Sequence, residues 1–157
     1  MSFALSTVAA KRVEELVRRY PRKDAALLPV LHIVQREKGF IPAEAEAWVA
    51  AAVGVPLVRV REVLSFYTLF RRGPSGRYVV QVCRNLSCFL AGSEEIIRHI
   101  EARLGVRDGE TTADGRFTLA LVECLGNCDH APCLMINDDD YGPVTKEMVD
   151  GILKRLA

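Results

Sequence analysis

Apolar residues fall at helical spacing through the first half of the chain and at strand spacing through much of the second. Val13, Leu16, Val17 and Tyr20 recur at i, i+3, i+4 and i+7, with Lys11, Arg12, Glu14, Glu15, Arg18 and Arg19 on the other faces. That pattern predicts an amphipathic helix closing near Pro21. A second helix, capped by Asp24, carries Leu27, Leu28, Leu31 and Val34 and stops at Gly39. Pro29 is tolerable there only near the first turn. Pro42 opens an alanine-rich third helix through Trp48 and Val53, and Gly54-Val55-Pro56 turns the chain into a fourth, Leu57 to Phe70. Residues 6–70 thus predict a small helical bundle.

Gly73-Pro74-Ser75-Gly76 is a cluster of helix breakers and marks the expected boundary between domains at 1–72 and 77–157. Beyond it, Tyr78–Val82 reads as a first strand, and a helix capped by Ser93 carries Ile96, Ile97, Ile100 and Leu104 to a stop at Gly105. Phe117–Val122 is a second strand and Cys133–Ile136 a third. Asn137–Asp140 reads as a turn, Tyr141 begins a fourth strand, and Thr145 caps a last helix. The order β-α-β-β-α predicts an α/β layer with helices against a small mixed sheet.

Charge sharpens the division. Residues 1–72 hold 12 Lys/Arg against 7 Asp/Glu, a net of +5, and residues 73–157 hold 9 against 13, a net of −4. The whole chain, at +1, has no global drive towards nucleic acid or anionic lipid. Its longest uncharged run, Ala47 to Val58, has 12 residues with Gly54 and Pro56 inside, too short and too broken to span a bilayer. The N-terminus places its charges after its apolar residues, the reverse of a secretory signal. The expectation is a soluble cytoplasmic protein.

All five cysteines lie in the acidic half. An odd, clustered set fits metal ligation better than a disulfide framework. Cys83 and Cys88 form C-x4-C after the first strand; Cys124 and Cys128 form C-x3-C after the second, 35 residues on. Two loops at two strand ends can bring four thiolates round one small object. On spacing alone, structural zinc and an iron–sulfur cluster are equally served. Gly126 would let backbone N–H groups approach a negative centre, and Pro132 stiffens the following loop. Cys133, in an apolar run, reads as a small core residue. His32 and Trp48 read as structural, and His99 and His130 have no obvious partners. Asp138–Asp140 lacks the calcium-loop pattern and reads as a solvated turn. No G-x-G-x-x-G follows a strand, so no nicotinamide site is expected in this chain.

The wider sequence separates zinc from iron–sulfur. The stretch Gly109–Leu119, then Val122-Glu123-Cys124-Leu125-Gly126-Asn127-Cys128 and Ala131-Pro132, closely resembles the thioredoxin-like [2Fe–2S] subunit of NADH:quinone oxidoreductase, known in bacteria as the E subunit. Val82-Cys83 to Cys88 with Gly92, Phe66-Tyr67-Thr68, and Asn137–Asp139 with Tyr141-Gly142-Pro143 match the same family. The resemblance implies an α/β fold in which an N-terminal helical bundle precedes a thioredoxin-like [2Fe–2S] ferredoxin domain. It implies Cys83, Cys88, Cys124 and Cys128 as cluster ligands and no catalytic substrate site in this chain. It also implies an FMN- and NADH-binding flavoprotein subunit as partner, and a place in the peripheral arm of a membrane-associated complex. Relatives serve NAD-linked formate dehydrogenases and hydrogenases, which leaves the terminal partner open. Arg84 and Cys133 depart from the family's usual small or neutral and aliphatic residues. The rival from another class is a redox-sensing DNA-binding regulator, in which Ala43–Phe70 with Arg59, Arg61, Arg71 and Arg72 reads DNA; Glu62 dilutes that basic face.

Overall fold

The Ser6 hydroxyl accepts the Ala9 N–H at 3.2 Å and so starts the first helix, α1 (Thr7–Arg18). The same serine donates its N–H and its hydroxyl to the Glu37 carboxylate, at 2.9 and 2.7 Å. These bonds hold the Glu37 carboxyl below its ordinary range and tie the start of α1 to the end of α2 (Leu27–Lys38). The computed structural model describes residues 3–157, and the chain divides into two compact units, Met1–Pro74 and Ser75–Ala157.

In the first unit, α3 (Ala43–Val53) and α4 (Leu57–Phe66) complete the bundle with α1 and α2. Leu31, Val30, Val34, Ile41, Val49 and Val60 are fully buried at its centre. Asp24 does not cap α2: residues Lys23–Ala26 form a separate 3₁₀ turn, where Asp24 pairs with Arg22 at 2.6 Å. Pro29 is the third residue of α2, where no intrahelical N–H is required. His32 packs at a tilt against Phe70, with ring centroids 4.9 Å apart, and Trp48 packs edge-on against Phe3 at the rim of the core.

The fourth helix ends four residues before its expected limit, because the backbone turns extended at Tyr67. The buried Gln35 amide explains the exit. Its Nε2 donates to the Leu69 carbonyl at 2.8 Å and its Oε1 accepts the Arg71 N–H at 2.7 Å, while Ile41 N–H donates to the Arg71 carbonyl. These bonds satisfy backbone groups that a longer helix would have used, and they let Phe70 turn into the core. Nearby, Glu46 is 3% exposed and its carboxylate meets Arg61 Nε at 2.8 Å and Arg72 at 3.5 Å, so its burial is compensated by two cations.

The second unit holds a four-stranded sheet in the order β2-β1-β3-β4, made of β1 (Tyr78–Cys83), β2 (Phe117–Val122), β3 (Leu134–Ile136) and β4 (Asp139–Tyr141). β1 and β2 run parallel, in register from Tyr78↔Phe117 to Cys83↔Val122; β1–β3 and β3–β4 are antiparallel. Helix α6 (Ser93–Leu104) and helix α7 (Lys146–Leu156) supply Ile96, Ile100, Val149 and Ile152 to the core on the sheet. Thr145 caps α7 by accepting the Met148 N–H. Ser93 does not cap α6: Gly92, in a left-handed conformation, takes that place, and the Ser93 hydroxyl is buried with no hydrogen-bond partner among the described residues. Asp139 and Asp140 lie within β4, so the turn shrinks to Asn137-Asp138. Asn137 takes a positive φ, and its side-chain oxygen accepts the Val79 N–H. His99 has a partner after all: it meets Asp150 of α7 at 2.8 Å, and Arg103 meets the other oxygen at 2.6 Å.

Gln35→Ala should remove both clamp bonds and leave two backbone groups poorly paired, lowering stability by about 2 kcal/mol. Trp48 is the chain's single tryptophan and lies in the helical unit, so its fluorescence during urea unfolding reports this unit. The midpoint should fall with the slope unchanged.

Candidate metal centre

Parallel pairing of β1 with β2 brings the two cysteine loops to one end of the sheet. Cys83 is the last residue of β1 and pairs with Val122, two residues before Cys124. The pairing continues one step past the strands: Arg84 N–H donates to the Val122 carbonyl at 2.9 Å. Across the same gap, Cys83 Sγ lies 3.3 Å from the Glu123 carbonyl oxygen. The first loop contains a short helix, α5 (Leu86–Leu90), that the sequence pattern does not predict. Asn85 precedes it, with its side-chain oxygen accepting the Leu86 N–H at 2.7 Å, and Cys88 sits on its inner side. Leu86, Phe89 and Leu90 point outward, at 68%, 50% and 76% exposure.

The second loop, residues 123–133, is held mainly through its backbone. Gly126 takes φ 76° and donates its N–H to Cys124 Sγ at 3.4 Å. Val144 N–H donates to the Pro132 carbonyl at 2.9 Å. Gly142 packs directly beneath the His130 carbonyl, where a Cβ would collide with it. His130 Nδ1 lies 3.1 Å from Asn127 Oδ1 and 3.2 Å from Asp129, inside the same turn.

The structure brings Cys83 and Cys88 together, and with them Cys133. The three sulfurs lie within 4.8 Å of one another, all buried, with Cys88 and Cys133 Sγ 3.5 Å apart. Cys124 and Cys128 lie exposed on the second loop, outside that trio. Burial pushes the Cys88 thiol up and the Cys133 thiol up to about 12. Cys133 is indeed buried, but its neighbours are sulfurs rather than the main apolar core. Only the β1–β3 register reveals this. Val82 pairs with Leu134, so the next step sets Cys83 beside Cys133, and Cys83 N–H donates to the Cys133 carbonyl at 3.2 Å.

Arg84 joins the two loops electrostatically. Its Nε and Nη2 both donate to Glu123 Oε1, at 3.0 and 2.7 Å. The carboxylate holds the guanidinium above its ordinary pKa, and the added cation is therefore largely neutralised where it stands.

A match to the family model of thioredoxin-like [2Fe-2S] ferredoxins spans residues 13–157. The chain belongs to this family. It is 44% identical over 144 residues to one of the NADH-quinone oxidoreductase E subunits, that numbered 2, of Rhizobium meliloti (strain 1021), covering 92% of this chain and 86% of the relative. It is 40% identical over 154 residues to the NADH-quinone oxidoreductase E subunit of Pseudomonas aeruginosa (strain PAO1), covering 98% and 91%. Its fold also resembles part of an NAD+-reducing [NiFe]-hydrogenase in the H2-reduced state, with TM-score 0.72 and 25% identity. That likeness covers 86% of this chain and 22% of the hydrogenase chain. Its relatives are thus subunits of an oxidoreductase complex, and no helix among the described residues is long and apolar enough to cross a membrane.

The Arg84–Glu123 pair predicts opposed shifts of reduction potential in the cluster-loaded protein. Arg84→Ala leaves a bare carboxylate and should lower the potential; Glu123→Ala leaves a bare guanidinium and should raise it. The double substitution should return close to the parent value in a redox titration followed by electron paramagnetic resonance.

Proposed function

We propose that this chain is the one-electron carrier of an NADH-oxidising module, holding one [2Fe–2S] cluster through Cys83, Cys88, Cys124 and Cys128. The observation that carries this reading is the placing of two cysteine pairs at the same end of adjacent parallel strands, within a family match from residue 13 to 157. When bound, the cluster takes up and gives back a single electron. The chain's own groups suit such a negative centre. Cys83 and Cys88 bring two sulfurs out of water, while the exposed second loop offers Cys124 and Cys128. The Gly126 N–H donates towards the Cys124 sulfur, the kind of bond that stabilises thiolate charge.

The electron's source is an FMN- and NADH-binding flavoprotein subunit docked over α5, in the peripheral arm of a larger complex. Supporting this are the naming of the relatives as subunits of NADH-quinone oxidoreductase and the apolar side chains Leu86, Phe89 and Leu90, exposed beside Cys88. Residues 1–72 form a domain with a second docking surface. There Phe66, Tyr67 and Leu69 are exposed on a turn that Gln35 holds rigid, beside a groove of about 780 Å³ lined by Leu27, Leu28 and Val63. Residues 77–157 form the cluster domain. Two linked contacts raise the effective concentration of the second.

The likeness to an NAD+-reducing hydrogenase chain favours one second reading, the same carrier role beside a hydrogenase flavoprotein. The DNA-regulator reading loses support: Arg61 and Arg72 are paired with Glu46 and Arg59 with Glu62, so the helical hairpin spends its cations internally.

Serine at Cys83, Cys88, Cys124 or Cys128 should each abolish or strongly alter the visible and paramagnetic signature of anaerobically purified protein, with about two irons per chain in the parent. Cys133→Ser should keep both signature and iron.

Co-expression with an NADH-oxidising flavoprotein subunit tests docking. Leu86→Ser/Leu90→Ser and Phe66→Ser/Leu69→Ser should each weaken co-purification by about tenfold or more without loss of cluster, since exposed side chains contribute little to folding. Unchanged association in the first pair would remove α5 from the interface; in the second it would remove the helical docking surface.

A further inference from the structure

The three buried sulfurs form a site of their own. Cys83 comes from the end of β1, Cys88 from α5 and Cys133 from the step before β3. Each is held by regular structure: strand pairing positions Cys83, the Cys83 N–H to Cys133 carbonyl bond positions Cys133, and the Asn85 cap positions the helix bearing Cys88. Cys83 and Cys88 lie outside the loop that carries Cys124 and Cys128, and Cys133 is the last residue of that loop, tied to β1 by this backbone bond.

Sulfurs bound to one d¹⁰ ion at about 2.3 Å stand about 3.8 Å apart in a tetrahedral set and about 4.0 Å apart in a trigonal one. In the observed trio one separation is 3.5 Å and all three sulfurs lie within 4.8 Å of one another, close enough for one ion to reach all of them. Charge selects among soft metals. Three thiolates with a divalent ion leave a net −1, whereas a monovalent ion leaves −2, and a pocket walled by Leu125 and Ala131 tolerates the smaller charge better.

We propose that Cys83, Cys88 and Cys133 form a preorganised three-thiolate site for a soft divalent d¹⁰ ion, Zn²⁺ or Cd²⁺, in the cluster-free chain. Binding replaces three S–H bonds by three S–metal bonds and releases three protons to water, with no change of oxidation state. Because the ion takes Cys83 and Cys88, it excludes a cluster held by those residues. That consequence rests on the cluster reading; the site itself does not.

The test uses the full-length chain carrying Cys124→Ser/Cys128→Ser, which removes the exposed thiols and leaves the trio intact. The reduced protein, freed of metal, is titrated anaerobically with Cd²⁺ and followed by its ultraviolet thiolate-to-metal absorption. The expected result is one ion per chain with an absorption matching three sulfur ligands. Adding Cys133→Val, or separately Cys133→Ala, should weaken binding about 100-fold or more, with the far-ultraviolet circular dichroism unchanged. Failure of Cd²⁺ to bind with Cys124 and Cys128 absent would overturn the proposal, as would equal binding with Cys133 replaced in a folded chain. Neither result bears on cluster content in the parent protein, so this site and the cluster reading fail separately.

Discussion

The parallel ladder between β1 and β2 is the constraint on which the rest of the cluster domain depends. Its six-residue register fixes Cys83 opposite Val122, and so brings two cysteine pairs, far apart in sequence, to one edge of one sheet. A slip by one residue would reverse the faces of β2 and turn the buried Phe117 and Leu119 out of the core. The register is pinned at both ends. At the start, Gly76 N–H donates to the Thr118 hydroxyl at 2.6 Å, and Gly76 lies so close to the Arg116 and Phe117 backbone that a Cβ would meet it at 2.7 Å. At the far end, Arg84 N–H reaches the Val122 carbonyl and the Arg84 side chain reaches Glu123.

The two loops that leave this ladder differ in character. The first closes at once into α5, which buries Cys88 and sends three large apolar side chains outward. The second keeps Cys124 and Cys128 at the surface and is secured by backbone contacts around Gly142 and Pro132. One half of the four-cysteine set is therefore buried, and the other exposed. Such a division suits a group that must be built into the folded chain and then exchange electrons across a protein surface. The Arg84–Glu123 ion pair, exposed on both sides, has little value as a source of stability. Its interest lies in charge: an arginine beside Cys83 would bias a negative centre there strongly if bare, and here it has a carboxylate against it.

In the helical unit, buried polar side chains do what the apolar pattern cannot. Gln35 ends the fourth helix, and Glu46 ties Arg61 of that helix to Arg72 of the chain that follows it. The cost of burying an amide and a carboxylate is offset by complete pairing, and the outcome is an aromatic turn presented in a defined shape.

Much of this was legible in the sequence. Periodicity placed four helices, then strands and helices in the right order, because burial of one face imposes a period that local chemistry cannot disguise. Breakers at residues 39, 54 and 105 ended helices where left-handed glycines now stand. The joined C-x4-C and C-x3-C motifs, with their flanking residues, pointed to the family. What the sequence could not decide were distances between elements. The apolar run at the end of the fourth helix continues past Phe66, yet an amide 34 residues away from Leu69 captures the backbone and stops it. Ser93 carries a good capping side chain, but the left-handed turn at Gly92 starts the helix one residue earlier and buries the hydroxyl. Cys133 sits in an apolar run and reads as core. Only the antiparallel register of β1 and β3 sets its sulfur beside two others, because strand pairing is a choice between distant segments and leaves no trace in the spacing of either one.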